Sequence, residues 1–263
     1  MRVHSLLMLK IGVFDSGLGG LTVVKALSEV IKGADIFYVA DTKNAPYGEK
    51  TPDQILQYSL DITQHLIKMH HIDALILACN TATSFAIKRL RELYPNLIII
   101  GTEPGVKPAI EQTETGRIGV LATPATLKGE KYQELVKQLS LGKDVALYEQ
   151  ACPGLVEQIE SGAIASSTTK TLLIKWLRPM IDNNVDTIVL GCTHYPLVGE
   201  IIEDIMDVNV TLIETGSAIA KHLLQLSKKN SHKNEGKLTI FIHHTDSINT
   251  DIIDGIIENY TLI

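Results

Sequence analysis

A chain of 263 residues can bury a substantial core in one or two domains. Its 45% hydrophobic and 21% charged content is ordinary for a globular protein, and a net charge of −6 without a basic cluster argues against nucleic acid or an anionic membrane as partner. Three cysteines make no disulfide framework and point to the reducing cytoplasm; the apolar run in "MRVHSLLMLK" is too short for a signal peptide, and none approaches the roughly 18 residues of a membrane span.

The first element is "KIGVFD", a short β-type run that ends at Asp15 and Ser16 in the Gly-rich turn "SGLGG". "LTVVKALSEVIK" follows with apolar residues at helical spacing, then the strand-like "DIFYVAD". Residues 41–48, "DTKNAPYG", make a loop closed by the tight turn Pro46-Tyr47-Gly48. After them come a helical "TPDQILQYSLDITQHLIKMH", the strand "DALILAC", the helix "TATSFAIKRLRELY" and the strand "NLIIIG". Such alternation implies βαβ units and a mostly parallel sheet with helices on both faces.

The pattern then restarts. "RIGVLATP" at 117–124 echoes "KIGVFDSG" at 10–17, with Ile118-Gly119-Val120 against Ile11-Gly12-Val13. "VDTIVLGCTHYP" at 185–196 echoes "IDALILACNTAT" at 72–83, placing Asp186 on Asp73, Leu190 on Leu77 and Cys192 on Cys79, each 113 positions apart. "VTLIETG" at 210–216 takes the part of "IIIGTEP" at 98–104. Three strands repeated in order imply duplication. The expected fold is α/β, with two pseudo-symmetric lobes, each a mostly parallel sheet flanked by helices. The first lobe covers residues 1–103 and the second 104–213, with the site in the crevice between them. Beyond them, "SAIAKHLLQLSKK" reads as a helix, "LTIFIHH" as a last strand, and the charged stretch Lys228 to Lys237 as a solvated loop.

In open α/β sheets, ligands bind beyond the carboxyl ends of the strands, and both Cys79 and Cys192 stand there. The residues that follow, Asn80-Thr81 and Thr193-His194, are helix-capping types with free N–H groups nearby. A helix N-terminus is expected to lower a thiol's pKa from its usual value near 8.5, producing a usable base. The converging loops are rich in hydroxyl, amide and N–H groups and poor in Lys and Arg apart from Lys43, which suits a small zwitterion better than a phosphate. "GLGG" fails as a dinucleotide fingerprint because Thr22 stands where the third Gly belongs, and Asp15 would oppose a pyrophosphate. Cys152 reads as a small buried hydrophobe, and the pairs His70-His71 and His243-His244 as noncatalytic. Two cysteines so far apart with His194 lack the close spacings of a zinc site, so no metal is expected.

"FDSGLGGLTV", "PYG", "ACNTAT", "GRIGVLATPAT" and "LGCTHYPL" together resemble the glutamate racemases, amino-acid racemases of bacterial cell-wall synthesis, over about residues 11 to 216. The resemblance implies that Cys79 and Cys192 remove and return a proton on opposite faces of the substrate. It implies substrate contacts from Asp15-Ser16, Tyr47-Gly48, Asn80-Thr81 and Thr193-His194, with Asp15 assisting Cys79 and His194 assisting Cys192. It further implies glutamate as the small-molecule substrate, no cofactor, a cytoplasmic homodimer, D-glutamate for peptidoglycan as the product, and residues 214–263 returning to the first lobe. "TKNA" before Pro46, Glu214 in place of a common Asp, and "HHTDS" near the C-terminus depart from the family pattern. An aspartate or other amino-acid racemase is the alternative on this scaffold, though Thr193-His194 favours glutamate. A cysteine hydrolase would leave Cys79 unexplained, and a noncatalytic amino-acid-binding module needs no thiols.

Overall fold

Seven consecutive residues of the first strand, Leu9–Asp15 (β1), are buried except Lys10, the pattern of a strand covered on both faces. The computed structural model describes residues 8–140, 144–206, 209–229 and 234–263, so the N-terminal "MRVHSLL" and residues 230–233 of the charged stretch lie outside the described residues. The chain continues through Leu21–Val30 (α1), Ala34–Ala40 (β2), Pro52–His70 (α2), Ala74–Leu77 (β3), Asn80–Leu93 (α3) and Ile98–Gly101 (β4). Then come Val106–Gln112 (α4), Arg117–Ala122 (β5), Pro124–Lys128 (α5), Glu130–Ser140 (α6), Ala146–Ala151 (β6), Leu155–Glu160 (α7) and Ser167–Asp182 (α8). Thr187–Gly191 (β7), Gly199–Met206 (α9), Thr211–Ile213 (β8), Gly216–Lys229 (α10), Thr239–His244 (β9), Thr250–Ile256 (α11) and Tyr260–Leu262 (β10) complete it.

The strands form two separate parallel sheets. One has the order β10-β9-β2-β1-β3-β4, the other β6-β5-β7-β8. The sequence of neighbours β2-β1-β3-β4 recurs as β6-β5-β7-β8, with β9 and β10 added at the β2 edge only. This is the expected α/β class, with one correction: "LTIFIHH" is not the last strand, because β10 pairs beyond it.

Each sheet has apolar cores on both faces. In the first, Ile11, Val13 and Ile76 join α1 and α10 on one side, while Phe14, Leu75 and Leu77 meet α2 and α3 on the other. Helix α2 begins with a capping box, in which the Thr51 hydroxyl accepts the Gln54 N–H and Gln54 accepts that of Thr51. The repeated aspartates are tethers at the strands' starts, away from the cysteines. Asp73 accepts the Lys10 N–H at 2.9 Å, and Asp186 accepts the Glu114 and Thr115 N–H groups at 2.8 Å. Within the charged stretch, Asn234 accepts the Lys32 N–H at 2.7 Å and donates to the Val30 carbonyl at 3.0 Å, so this part ties down the end of α1. Among the described residues, no helix is long and apolar enough to cross a membrane.

Candidate active site

Both sheets end at one crevice. Cys79 caps α3, its sulfur accepting the Ala82 N–H at 3.4 Å, and the Ser16 hydroxyl lies 3.7 Å from the same atom. Cys192 follows β7, with its sulfur 3.7 Å from His194 Nδ1. These residues line the crevice with Tyr47, Gly48, Asn80, Thr81 and Thr193. Asp15 stands behind that lining, fully buried, where it accepts the Thr193 hydroxyl at 2.9 Å and the Gly17 N–H at 2.8 Å. A residue of the first sheet thus anchors the turn that carries the second thiol.

Asn80 stands out. Its amide nitrogen and oxygen are both buried, and neither has a hydrogen-bond partner. A buried amide left wholly unpaired is costly, and this one has both a donor and an acceptor to offer a ligand.

The Gly-rich turn has a different use from phosphate binding. A Cβ at Gly19 would lie 2.4–2.7 Å from the His194 ring, one at Gly17 2.2 Å from Glu160 Oε1, and one at Gly20 2.6 Å from the Asp15 Cβ. The missing side chains let the backbone close over a His–Glu pair. His194 Nε2 donates to Glu160 Oε1 at 2.5 Å, and the Leu18 N–H reaches the same oxygen at 2.6 Å. Glu160 ends α7, where no strand-end signal marks it, and the sequence reading missed it. Among the lining residues it also missed are Thr123 and Cys152. Thr123 joins Thr81 and Thr126 in a ring of hydroxyls at 2.9–3.2 Å across the lobes. Cys152 is buried as expected, yet it faces the crevice and its thiol donates to the Gln150 carbonyl.

The electrostatics correct one expectation. The thiol of Cys79 is not lowered but pushed up to about 12, first by burial and then by the charge of Asp15; the Ala82 N–H and Ser16 hydroxyl offset only part. Burial also raises Asp15, against the pull of His194 and its two hydrogen bonds. On the other side, burial opposes the charged form of His194, but hydrogen bonds and charge from Cys192 and Glu160 outweigh it and hold the imidazole well above its usual value. Glu160 is held low, because His194 and the Leu18 N–H overcome its burial. The negative partner therefore sits by Cys79 and the positive one by Cys192.

Residues 11–223 match the family model for Asp/Glu/Hydantoin racemase. The chain is 66% identical over 252 residues to a glutamate racemase of Sulfurovum sp., covering 96% of this chain and 95% of that protein. Its fold is similar to that of a glutamate racemase isoform from Bacillus anthracis, with a TM-score of 0.86, 26% identity, and 97% and 96% of the two chains covered. It is also similar to a Francisella tularensis glutamate racemase in complex with D-glutamate, with a TM-score of 0.80, 27% identity and 97% of each chain covered. The chain belongs to the Asp/Glu/Hydantoin racemase family.

Within this racemase the crevice offers two thiols with unlike partners. A carbon held between them would face a thiol on each side. The orphaned Asn80 amide, the Thr81 and Thr193 side chains and the turn at Tyr47-Gly48 line the space between them. Two thiols so placed have the chemistry for proton removal and return at a carbon acid.

Proposed function

We propose that the protein interconverts L- and D-glutamate by two-thiol proton transfer, supplying D-glutamate for peptidoglycan. The carrying observation is that two cysteines at matching strand ends line one crevice. The thiolate of one removes the α-proton, leaving a planar carbanion, and the thiol of the other returns a proton to the opposite face. In the resting enzyme Cys79 is the proton donor, since burial and Asp15 keep it protonated. Cys192, with His194 Nδ1 3.7 Å from its sulfur, takes the acceptor's part opposite it. For the other enantiomer the two exchange roles. Asp15-Ser16, Tyr47-Gly48, Asn80-Thr81 and Thr193-His194 hold the substrate, and Asp15 and His194 tune the thiols.

The lobes, residues 1–103 with 214–263 and residues 104–213, each bring one thiol; the pairing of β9 with β2 supports this division. The enzyme acts as a cytoplasmic homodimer on the small-molecule substrate alone, with no metal or cofactor. Sedimentation tests the dimer, and full activity after exhaustive dialysis tests the chemistry. The deciding assay offers D- and L-glutamate beside D- and L-aspartate in heavy water. Early D-glutamate formed from L-glutamate should carry deuterium at the α-carbon while residual L-glutamate stays unlabelled. Retention of the original hydrogen in product would point to a single base, and turnover of aspartate alone to the sister activity.

A further inference from the structure

The loop that follows β2 reaches the crevice only at its far end, through Pro46 to Glu49. Its near end is organised around one buried carboxylate, Asp41. Oδ2 accepts the Tyr47 hydroxyl at 2.6 Å, Oδ1 accepts the Thr245 hydroxyl at 3.0 Å, and the Asn44 amide donates to both oxygens at 3.0 and 3.1 Å. Thr245 comes from the end of β9, 204 positions further along the chain. It accepts the Lys43 N–H at 3.0 Å and donates its own N–H to the Ala40 carbonyl at 3.2 Å, while the Asp246 N–H donates to the Thr42 hydroxyl at 3.0 Å. The C-terminal loop is therefore stitched to both sides of Asp41.

Tyr47 is the link to the site. Its ring is buried against Phe14 and Tyr58, with centroids 6.0 and 5.7 Å away, and its hydroxyl is committed to Asp41, which does not line the crevice. On the far side of the turn there is no slack, because a Cβ at Gly48 would stand 3.2 Å from the Thr123 Cβ. Behind the turn lies space. A cavity of about 260 Å3 borders Asp41, Asn44 and Thr245, so hydrogen bonds rather than packing hold this end.

We propose that Asp41 and Thr245 are positioning residues that set the Tyr47–Gly48 turn, so that the C-terminal segment governs substrate affinity without touching substrate; this rests on the glutamate-racemase reading above. The turn contacts substrate in ground and transition states alike, so loosening it raises KM and leaves kcat.

The test uses the full chain with glutamate. Thr245→Val deletes the hydroxyl and keeps the volume, and Thr245→Ser keeps the hydroxyl. Asp41→Ala strips the Tyr47 hydroxyl of its acceptor and Thr245→Val takes a donor from Asp41, so each should raise KM about tenfold, with kcat within about twofold. Thr245→Ser should restore the parent KM. In a Tyr47→Phe background, Asp41→Ala should add less than about twofold, because both changes break one link. An unchanged KM in folded variants, a fall in kcat alone, or independent multiplying effects would overturn the proposal. If Asp41→Ala does not fold, the Thr245 pair decides. A parent protein that neither binds nor racemises glutamate overturns the functional reading as well; an active parent with unaffected variants overturns only the positioning role.

Discussion

Asp15 sits where its charge disfavours a thiolate at Cys79, so its removal has a definite sign. Asp15→Asn should lower the Cys79 pKa. A pH titration of thiolate ultraviolet absorbance, with Cys152 and Cys192 replaced by Ser, reads this directly, and an unmoved inflection would show that Asp15 is not felt. Cys79→Ser and Cys192→Ser should each abolish racemisation of both enantiomers, since a hydroxyl is too weak an acid to replace a thiol. Cys152→Ser should remain active, because its thiol is engaged with the Gln150 carbonyl. His194 carries a second signed expectation. It binds its proton more tightly folded than unfolded, so the stability it lends is fully present below its unfolded pKa of about 6.5 and is lost as pH rises through the raised folded value. Melting temperatures of the parent and His194→Asn should therefore differ most in mild acid and converge in alkali; a constant gap refutes the coupling. At this scale the placement of the two cysteines, Asp15 and His194 at or just beyond strand ends was readable, because strand ends announce themselves by apolar runs stopping at polar residues. Glu160 was not, since its pairing with His194, 34 positions away, exists only once the second lobe has folded. The direction of the Cys79 shift was misread for a related reason: the helix N-terminus is visible in sequence, while burial and the approach of Asp15 are not.

At the scale of elements, the turn over His194 is the most exacting. Gly19→Ala would drive a Cβ into the imidazole, so turnover should fall by at least about tenfold while the core stays folded. Steady-state kinetics beside circular dichroism checks it; near-normal rates would mean that the turn yields freely. Helix α2 offers a contrasting case. Thr51→Ala removes a capping box at an exposed helix start and should cost about 1 kcal/mol in urea denaturation, leaving activity unchanged. Long periodic segments such as α2, and strands with unbroken apolar runs such as β3, could be read from the order of their residues alone. β6, "ALYEQA", mixes exposed and half-buried positions at a sheet edge, and β10 is three residues long. Neither carries enough of a pattern to be found without its partners.

For the whole molecule, the lobes meet through polar contacts around the crevice: Thr193 to Asp15, the Leu18 N–H to Glu160, and Thr81 to Thr123. A ligand seated there bears on both lobes, so D-glutamate at a hundred times its Kd should stabilise the fold by about 2.7 kcal/mol, visible as a thermal shift. Asn80→Ala should blunt that shift, and an undiminished one would remove the amide from the binding site. The repeated strand order was readable because the duplicated motifs kept their offsets; the strands added at one edge have no counterpart to betray them. The unlike partners of the two thiols bear on direction. Mirror-image forms of an amino acid have equal energies in water, so no arrangement of Asp15, His194 and Glu160 can bias the final mixture. Their asymmetry decides only which half of the cycle is slow and which protonation form waits for substrate. Net production of one hand must come from elsewhere, from a reaction that withdraws it, and this protein behaves as a valve open in both directions whose throughput is drawn by its consumer.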